Sequence, residues 1–305
     1  LTTPPTAARR TPDAVTGWVD RLPVSLRPYA RLMRADRPVG TWLLFWPTAW
    51  GVALAGGLPR LVYLLLLFWL GAFAMRAAGC VYNDIVDRRL DAAVARTRAR
   101  PLASGEVSIP AAWVLLVALS MLGLLVLLQL PTFAQAIAIA SLLLVAAYPF
   151  MKRLIWWPQA WLGLTFNWGT LVGYAAVADA LPDAALLLYG AGIFWTLGYD
   201  TIYALQDIED DALAGIKSSA RRLGGKVRIG VGAFYGASTA LLGAALVAAG
   251  ADVAVAFAAL LPAAAHFVWQ VARLEPESGA IALSLFRSNS LTGALVFATI
   301  VATKL

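Results

Sequence analysis

Two short runs hold eight of the 17 acidic residues in this chain. The first places Asn83, Asp84, Asp87 and Asp91 within nine positions; the second places Asp200, Asp207, Glu209, Asp210 and Asp211 within twelve. On a helix that continues through each run, Asn83, Asp87 and Asp91 share a face at i, i+4, i+8, and Asp200, Asp207 and Asp211 share one at i, i+7, i+11. Like charges one turn apart repel, and bound cations relieve that repulsion. Oxygen-only ligands suit Mg²⁺, which binds through a few carboxylates plus the phosphate oxygens of a substrate. Basic residues follow both runs: Arg96, Arg98 and Arg100 after the first, Lys217, Arg221 and Arg222 after the second. Metal with cationic clamps is the equipment that a diphosphate leaving group needs.

Arg76 stands apart from these groups. It lies seven residues before Asn83 on the same helical face, about 10 Å deeper. An ionisable group inside an apolar helix points to function. The open readings are an anchor for a small anionic substrate below the metals, snorkelling, or an ion pair with Asp200.

Composition decides where such groups can stand. Hydrophobic residues make up 61% of the chain before its 25 glycines are counted, whereas soluble domains reach about 45–50% with glycine included. Charged residues are only 13%. The chain is therefore an integral membrane protein; disorder, a collagen-like fibre and a nucleic-acid scaffold are excluded despite a net charge of +7. The one cysteine, Cys80, rules out an internal disulfide framework and is expected to pack as a small apolar side chain. The one histidine, His266, rules out a multi-histidine metal centre and is expected to be structural.

A bilayer core of about 30 Å takes about 20 apolar residues per helix. That ruler gives nine spans, near 39–57, 60–82, 109–130, 132–150, 158–178, 184–206, 227–249, 252–272 and 282–303. Pro110, Pro158 and Pro182 mark helix starts. Residues 38–305 form this helical domain. Residues 1–37 form a basic N-terminal segment with no stretch long enough for a signal peptide; 1–15 are expected to be disordered, and 16–37 to lie amphipathically on the membrane surface. The chain starts at Leu1, so some sequence is expected to precede it. Twenty of the 24 Lys and Arg fall on the N-terminal side of the membrane and two on the other, which places the N-terminus on the cytoplasmic side. An even number of crossings separates the two acidic runs, so both leave the membrane on that same side and can converge on one cavity.

At these residues the chain resembles the UbiA superfamily of intramembrane aromatic prenyltransferases, most closely its 4-hydroxybenzoate branch in ubiquinone biosynthesis. The family motif NDxxDxxxD is present at 83–91, and its YDxxYAxxDxxDD form at 199–211. The stretches LMRADRPVGTWLLFWPTAW (32–50), MRAAGCVYND (75–84), RTRARPLASG (96–105) and YPFMKR (148–153) match as well, with FRSNSLTG (286–293) a looser match. The resemblance spans about residues 30 to 300. It implies an all-α fold of nine transmembrane helices around a central cavity, capped by cytoplasmic-side loops.

It also implies transfer of a polyprenyl group from polyprenyl diphosphate to the ring carbon ortho to the hydroxyl of 4-hydroxybenzoate, through an allylic cation. The resemblance assigns Mg²⁺ and diphosphate to Asn83, Asp84, Asp87, Asp91, Asp207 and Asp211. Arg34, Arg100, Lys152 and Lys217 are candidates for phosphate contacts, and Tyr148 and Tyr203 for shielding the cation. Arg76 holds the acceptor carboxylate, with Asp200 either orienting Arg76 or assisting the phenol. Nothing calls for an obligate protein partner. A bacterial inner membrane is the preferred location, with the mitochondrial inner membrane compatible. The rival readings are another acceptor (homogentisate, dihydroxynaphthoate, a porphyrin ring or haem) and, in a different class, a transporter, which would place its binding residues near the midplane on broken helices.

Overall fold

The computed structural model describes residues 17–93, 97–208 and 217–304; for Lys152, Arg153 and Asp207 only the backbone is described. All regular structure among the described residues is helical. Two compact units emerge from the packing: Leu1–Gly40 with Phe73–Gly123, and Thr41–Ala72 with Leu124–Leu305. The expectation of disorder at 1–15 lies outside the described residues, as do Arg96, Glu209, Asp210 and Asp211.

In chain order the helices are α1 (Arg27–Leu32), α2 (Val39–Leu54), α3 (Leu61–Ala93), α4 (Ile109–Leu127), α5 (Thr132–Leu154), α6 (Pro158–Ala178), α7 (Asp183–Tyr203), α8 (Ser219–Leu223), α9 (Val227–Ala248), α10 (Val253–Arg273) and α11 (Gly279–Ala302). Among the described residues, six segments are long and apolar enough to cross a membrane: Leu58–Ala93, Ile109–Leu127, Thr132–Met151, Ser219–Ala248, Val253–Arg273 and Gly279–Ala302; Val39–Leu54 is a shorter apolar helix. Their exposed aliphatic side chains, Leu66, Val114, Leu143 and Val268 among them, face the surroundings as lipid-contacting groups do. Helices α6 and α7 bury more of themselves and carry polar groups there, Gln159, Asn167 and Thr170 on one, Thr196 and Thr201 on the other. Those groups lower their apolarity, so hydropathy alone passes them over.

The 33 residues of α3 extend about 50 Å at 1.5 Å per residue, against a hydrocarbon core of about 30 Å. Roughly a dozen residues therefore stand beyond the core, and the acids of the first run lie at that end. In the first unit, Leu32, Ala77, Ala78, Val81, Leu102, Val107, Ala112 and Leu119 form one apolar cluster. It joins the end of α1, the face of α3, the segment after α3 and the start of α4. Leu32 thus ties the end of α1 to the face of α3.

In the second unit, small residues let backbones meet. Gly51 of α2 faces the Thr170 carbonyl of α6, and a Cβ there would stand 2.9 Å from the Tyr174 nitrogen; Gly173 of α6 faces the Thr48 carbonyl in return. Such close approach is the packing available to helices that gain little from the hydrophobic effect. A buried polar network ties α7, α9, α10 and α11. Tyr235 Oη donates to Gln270 Oε1 at 2.7 Å, Asn289 Nδ2 donates to the same oxygen at 3.0 Å, and Trp195 Nε1 donates to Asn289 Oδ1 at 2.9 Å. His266 joins it through Thr292 Oγ1 at 2.8 Å, as its structural assignment requires.

Candidate active site

The first acidic run stays α-helical to Ala93, so its expected shared face is realised. Asp84, Asp87 and Asp91 are 1%, 0% and 5% exposed. Carboxylates cannot be buried so deeply without partners, and two arginines from outside the helix supply them. Arg34 Nη2 donates to both oxygens of Asp84, at 2.7 and 2.8 Å. Arg100 Nη1 donates to Asp84 Oδ1 at 3.1 Å and to Asp91 Oδ2 at 2.8 Å.

Local structure explains how each arginine gets there. Helix α1 ends in a Schellman motif: Ala35 N donates to the Ala30 carbonyl at 2.9 Å and Arg34 N to the Arg31 carbonyl at 3.0 Å. Its C′ residue must adopt the left-handed conformation, usually a task for glycine, yet here it is Arg34 with φ 59°. The guanidinium folds back, its Nη1 reaching the Arg31 and Leu32 carbonyls at 3.1 and 3.2 Å. One side chain thus caps α1 and grips Asp84. Burial opposes its charge, but neighbouring groups, the Asp84 carboxylate foremost and Asp36 among them, hold the Arg34 pKa above its ordinary value. Arg100 is delivered by the segment after α3, which Thr97 pins by donating its hydroxyl to the Asp91 carbonyl at 3.0 Å.

Arg76 lies on the same helix, two turns before Asn83. Its Nη1 donates to Cys80 Sγ, one turn further along the helix. The Arg76 Nε is buried and finds no acceptor among the described residues.

The second run departs from a continued α-helix. Helix α7 ends at Tyr203 and tightens into a 3-10 turn over Ala204–Asp207. Helix ends commonly tighten in this way when their last carbonyls lack i+4 partners. The α-helical register predicted from Asp200 to Asp207 is therefore broken after Tyr203, and Asp211 lies outside the described residues. Asp200 sits on the last turn of α7, and the Tyr203 ring packs on Phe286 at 4.5 Å between centroids. Tyr148 is half-buried on α5, and Lys152 lies one turn further along that helix. Beyond the run the chain is pinned back: Thr201 and Ser219 hydroxyls meet at 2.6 Å, and Ser219 N donates to Gln159 Oε1 at 2.9 Å. Lys217 Nζ donates to the Leu154 carbonyl at 3.1 Å and stands 5.9 Å above the Trp156 ring.

Among the described residues no three acidic, histidine or cysteine side chains form a ready-made metal cage. The first run nevertheless offers only carboxylate and amide oxygens, the donor set of a hard cation that keeps open positions for phosphate. Arg34 and Arg100 form ion pairs with Asp84 and Asp91 of this run. The structure brings Arg34, Arg100, Asp84 and Asp91 together, with Asp87 on the same helix face.

Comparison with known proteins agrees with this chemistry. The UbiA prenyltransferase family model matches residues 44–291. A Caenorhabditis elegans protein named "4-hydroxybenzoate polyprenyltransferase, mitochondrial" is 44% identical over 287 residues, covering 93% of this chain and 80% of that one. Its name places it in mitochondria, against the bacterial membrane preferred from sequence. An apo UbiA homolog from Aeropyrum pernix K1 superimposes with a TM-score of 0.71 at 27% identity, covering 87% of this chain and 98% of that one. A UbiA homolog from Archaeoglobus fulgidus bound to GPP and Mg²⁺ gives 0.66 at 20% identity, covering 90% and 99%. This chain belongs to the UbiA prenyltransferase family.

Proposed function

We propose that this protein transfers a polyprenyl group from polyprenyl diphosphate to the ring carbon ortho to the hydroxyl of 4-hydroxybenzoate. The observation that carries this reading is the buried row Asp84, Asp87 and Asp91, engaged by Arg34 and Arg100. The 44% identity to a relative of that name over 93% of the chain supports the acceptor.

Nine helices, α2–α7 and α9–α11, cross the membrane around a cavity roofed by cytoplasmic-side loops, and the N-terminal segment lies on that surface. Asn83, Asp84, Asp87, Asp91, Asp207 and Asp211 would hold Mg²⁺. Bound there, it would supply positive charge against the departing diphosphate. Arg34 and Arg100, which donate to Asp84 and Asp91, pass from carboxylate to phosphate oxygens in this reading; Lys152 and Lys217 add positive charge. Arg76 holds the acceptor carboxylate, and Asp200 orients Arg76 or receives the phenol's hydrogen bond. The faces of Tyr148 and Tyr203 shield the allylic cation, and the roof excludes water that would capture it. The membrane is a mitochondrial or bacterial inner membrane.

The deciding experiment is a membrane assay with labelled 4-hydroxybenzoate and geranyl diphosphate, with Mg²⁺ and with EDTA, scored for a lipid-extractable prenylated ring. Magnesium-dependent product is expected. Absence of product in a preparation that still binds prenyl diphosphate would overturn the acceptor, and homogentisate would be tried next. Transmembrane flux without turnover would point to transport instead.

A further inference from the structure

Gly40 is buried in the first turn of α2, within the same unit as Arg76. A Cβ at position 40 would overlap the Nε and Nη2 atoms of Arg76 and lie 2.6 Å from its Cζ, with the guanidinium as its three nearest neighbours. Backbone conformation does not demand glycine, because Gly40 is not among the residues with positive φ. Helix propensity argues against it, since glycine is among the poorest helix formers. The remaining reason is space. One edge of the guanidinium rests on the bare face of Gly40, while Nη1 is turned to Cys80. A long side chain with many rotamers is thereby confined on two sides, and its buried Nε is left without an acceptor among the described residues.

We infer that Gly40 is a positioning residue: its missing side chain sets where the Arg76 guanidinium stands, and so how tightly the acceptor carboxylate is held. This rests on the reading of Arg76 as the acceptor anchor. A methyl group at position 40 displaces the guanidinium, and displacements of about 1 Å at a positioning group cost on the order of 100-fold.

The test compares steady-state kinetics of the full chain in proteoliposomes for Gly40→Ala, Arg76→Ala, the double variant and Gly236→Ala. Gly236 lies within α9 with nothing inside 4 Å of an added Cβ, so it controls for glycine replacement in a helix. Gly40→Ala should raise KM for 4-hydroxybenzoate at least ~10-fold while KM for geranyl diphosphate stays within about twofold. Gly236→Ala should change neither. In the Arg76→Ala background, Gly40→Ala should add nothing to the acceptor KM, because the group it displaces is gone. Equal effects of Gly40→Ala with and without Arg76 would overturn the inference, as would an unchanged acceptor KM. If Gly40→Ala does not accumulate as folded protein, the double variant should restore folded yield, and failure to do so overturns it too. An unchanged acceptor KM in Arg76→Ala alone would instead remove the anchor reading.

Discussion

Arg34 meets Asp84 through a single nitrogen, 2.7 and 2.8 Å from the two carboxylate oxygens, from a backbone position where glycine is the usual choice. The residue terminating a short N-terminal helix therefore also brings a positive charge onto the first acidic run at Asp84. Left-handed backbone costs a non-glycine residue about 1–2 kcal/mol, and the ion pair with two carbonyl caps offsets it.

Replacing Arg34 separates these contributions. Both Arg34→Gly and Arg34→Ala lose the pair, but Arg34→Gly sheds the strain of the left-handed turn whereas Arg34→Ala keeps it. Thermal unfolding in detergent should find Arg34→Gly more stable than Arg34→Ala by about 1 kcal/mol. Both should lose about 100-fold in kcat/KM for the prenyl diphosphate. Equal stabilities would show that the left-handed turn relaxes without arginine.

Asp87→Asn preserves shape and removes one buried charge. Turnover should fall at least ~100-fold while the circular dichroism spectrum and unfolding temperature remain close to those of the parent. Asp207→Asn should behave alike if the second run shares the diphosphate. Full activity in either variant contradicts the assignment of that acid to the metal-diphosphate site.

Arg76→Ala addresses the division of labour along α3. Its expected signature is a raised KM for 4-hydroxybenzoate, at least ~10-fold, with prenyl diphosphate binding by isothermal titration nearly intact. Collapse of prenyl diphosphate affinity would move Arg76 into the diphosphate half of the site.

The network around Gln270 carries stability rather than chemistry. Gln270→Leu leaves the Tyr235 hydroxyl and the Asn289 amide without the oxygen they share, and each buried orphan costs about 1–3 kcal/mol. The unfolding temperature should drop, with both KM values within about twofold of the parent. A shift in either KM would bring this network into the catalytic machinery.

Much of this protein was legible in one dimension because its strongest signals are local. Runs of about 20 apolar residues announce helices wherever water is excluded, and acids spaced at one helical turn announce a shared face. That periodicity held for Asn83, Asp87 and Asp91, whose helix continues to Ala93. It failed after Tyr203, where the terminal turn tightened to 3-10 geometry, since the end of a helix depends on which partners its last carbonyls find. Pairing of Arg34 with Asp84, 50 residues apart, had no periodic trace and required Leu32 to dock on the α3 face. Gly40 looked like any glycine in an apolar stretch until Arg76 was found against it. Sequence alone determined the membrane class, the acids and the chemistry they suit, because these follow from residue type and spacing. Tertiary structure alone decided which arginine meets which carboxylate and which glycine makes room, because those contacts depend on where separate helices come to lie.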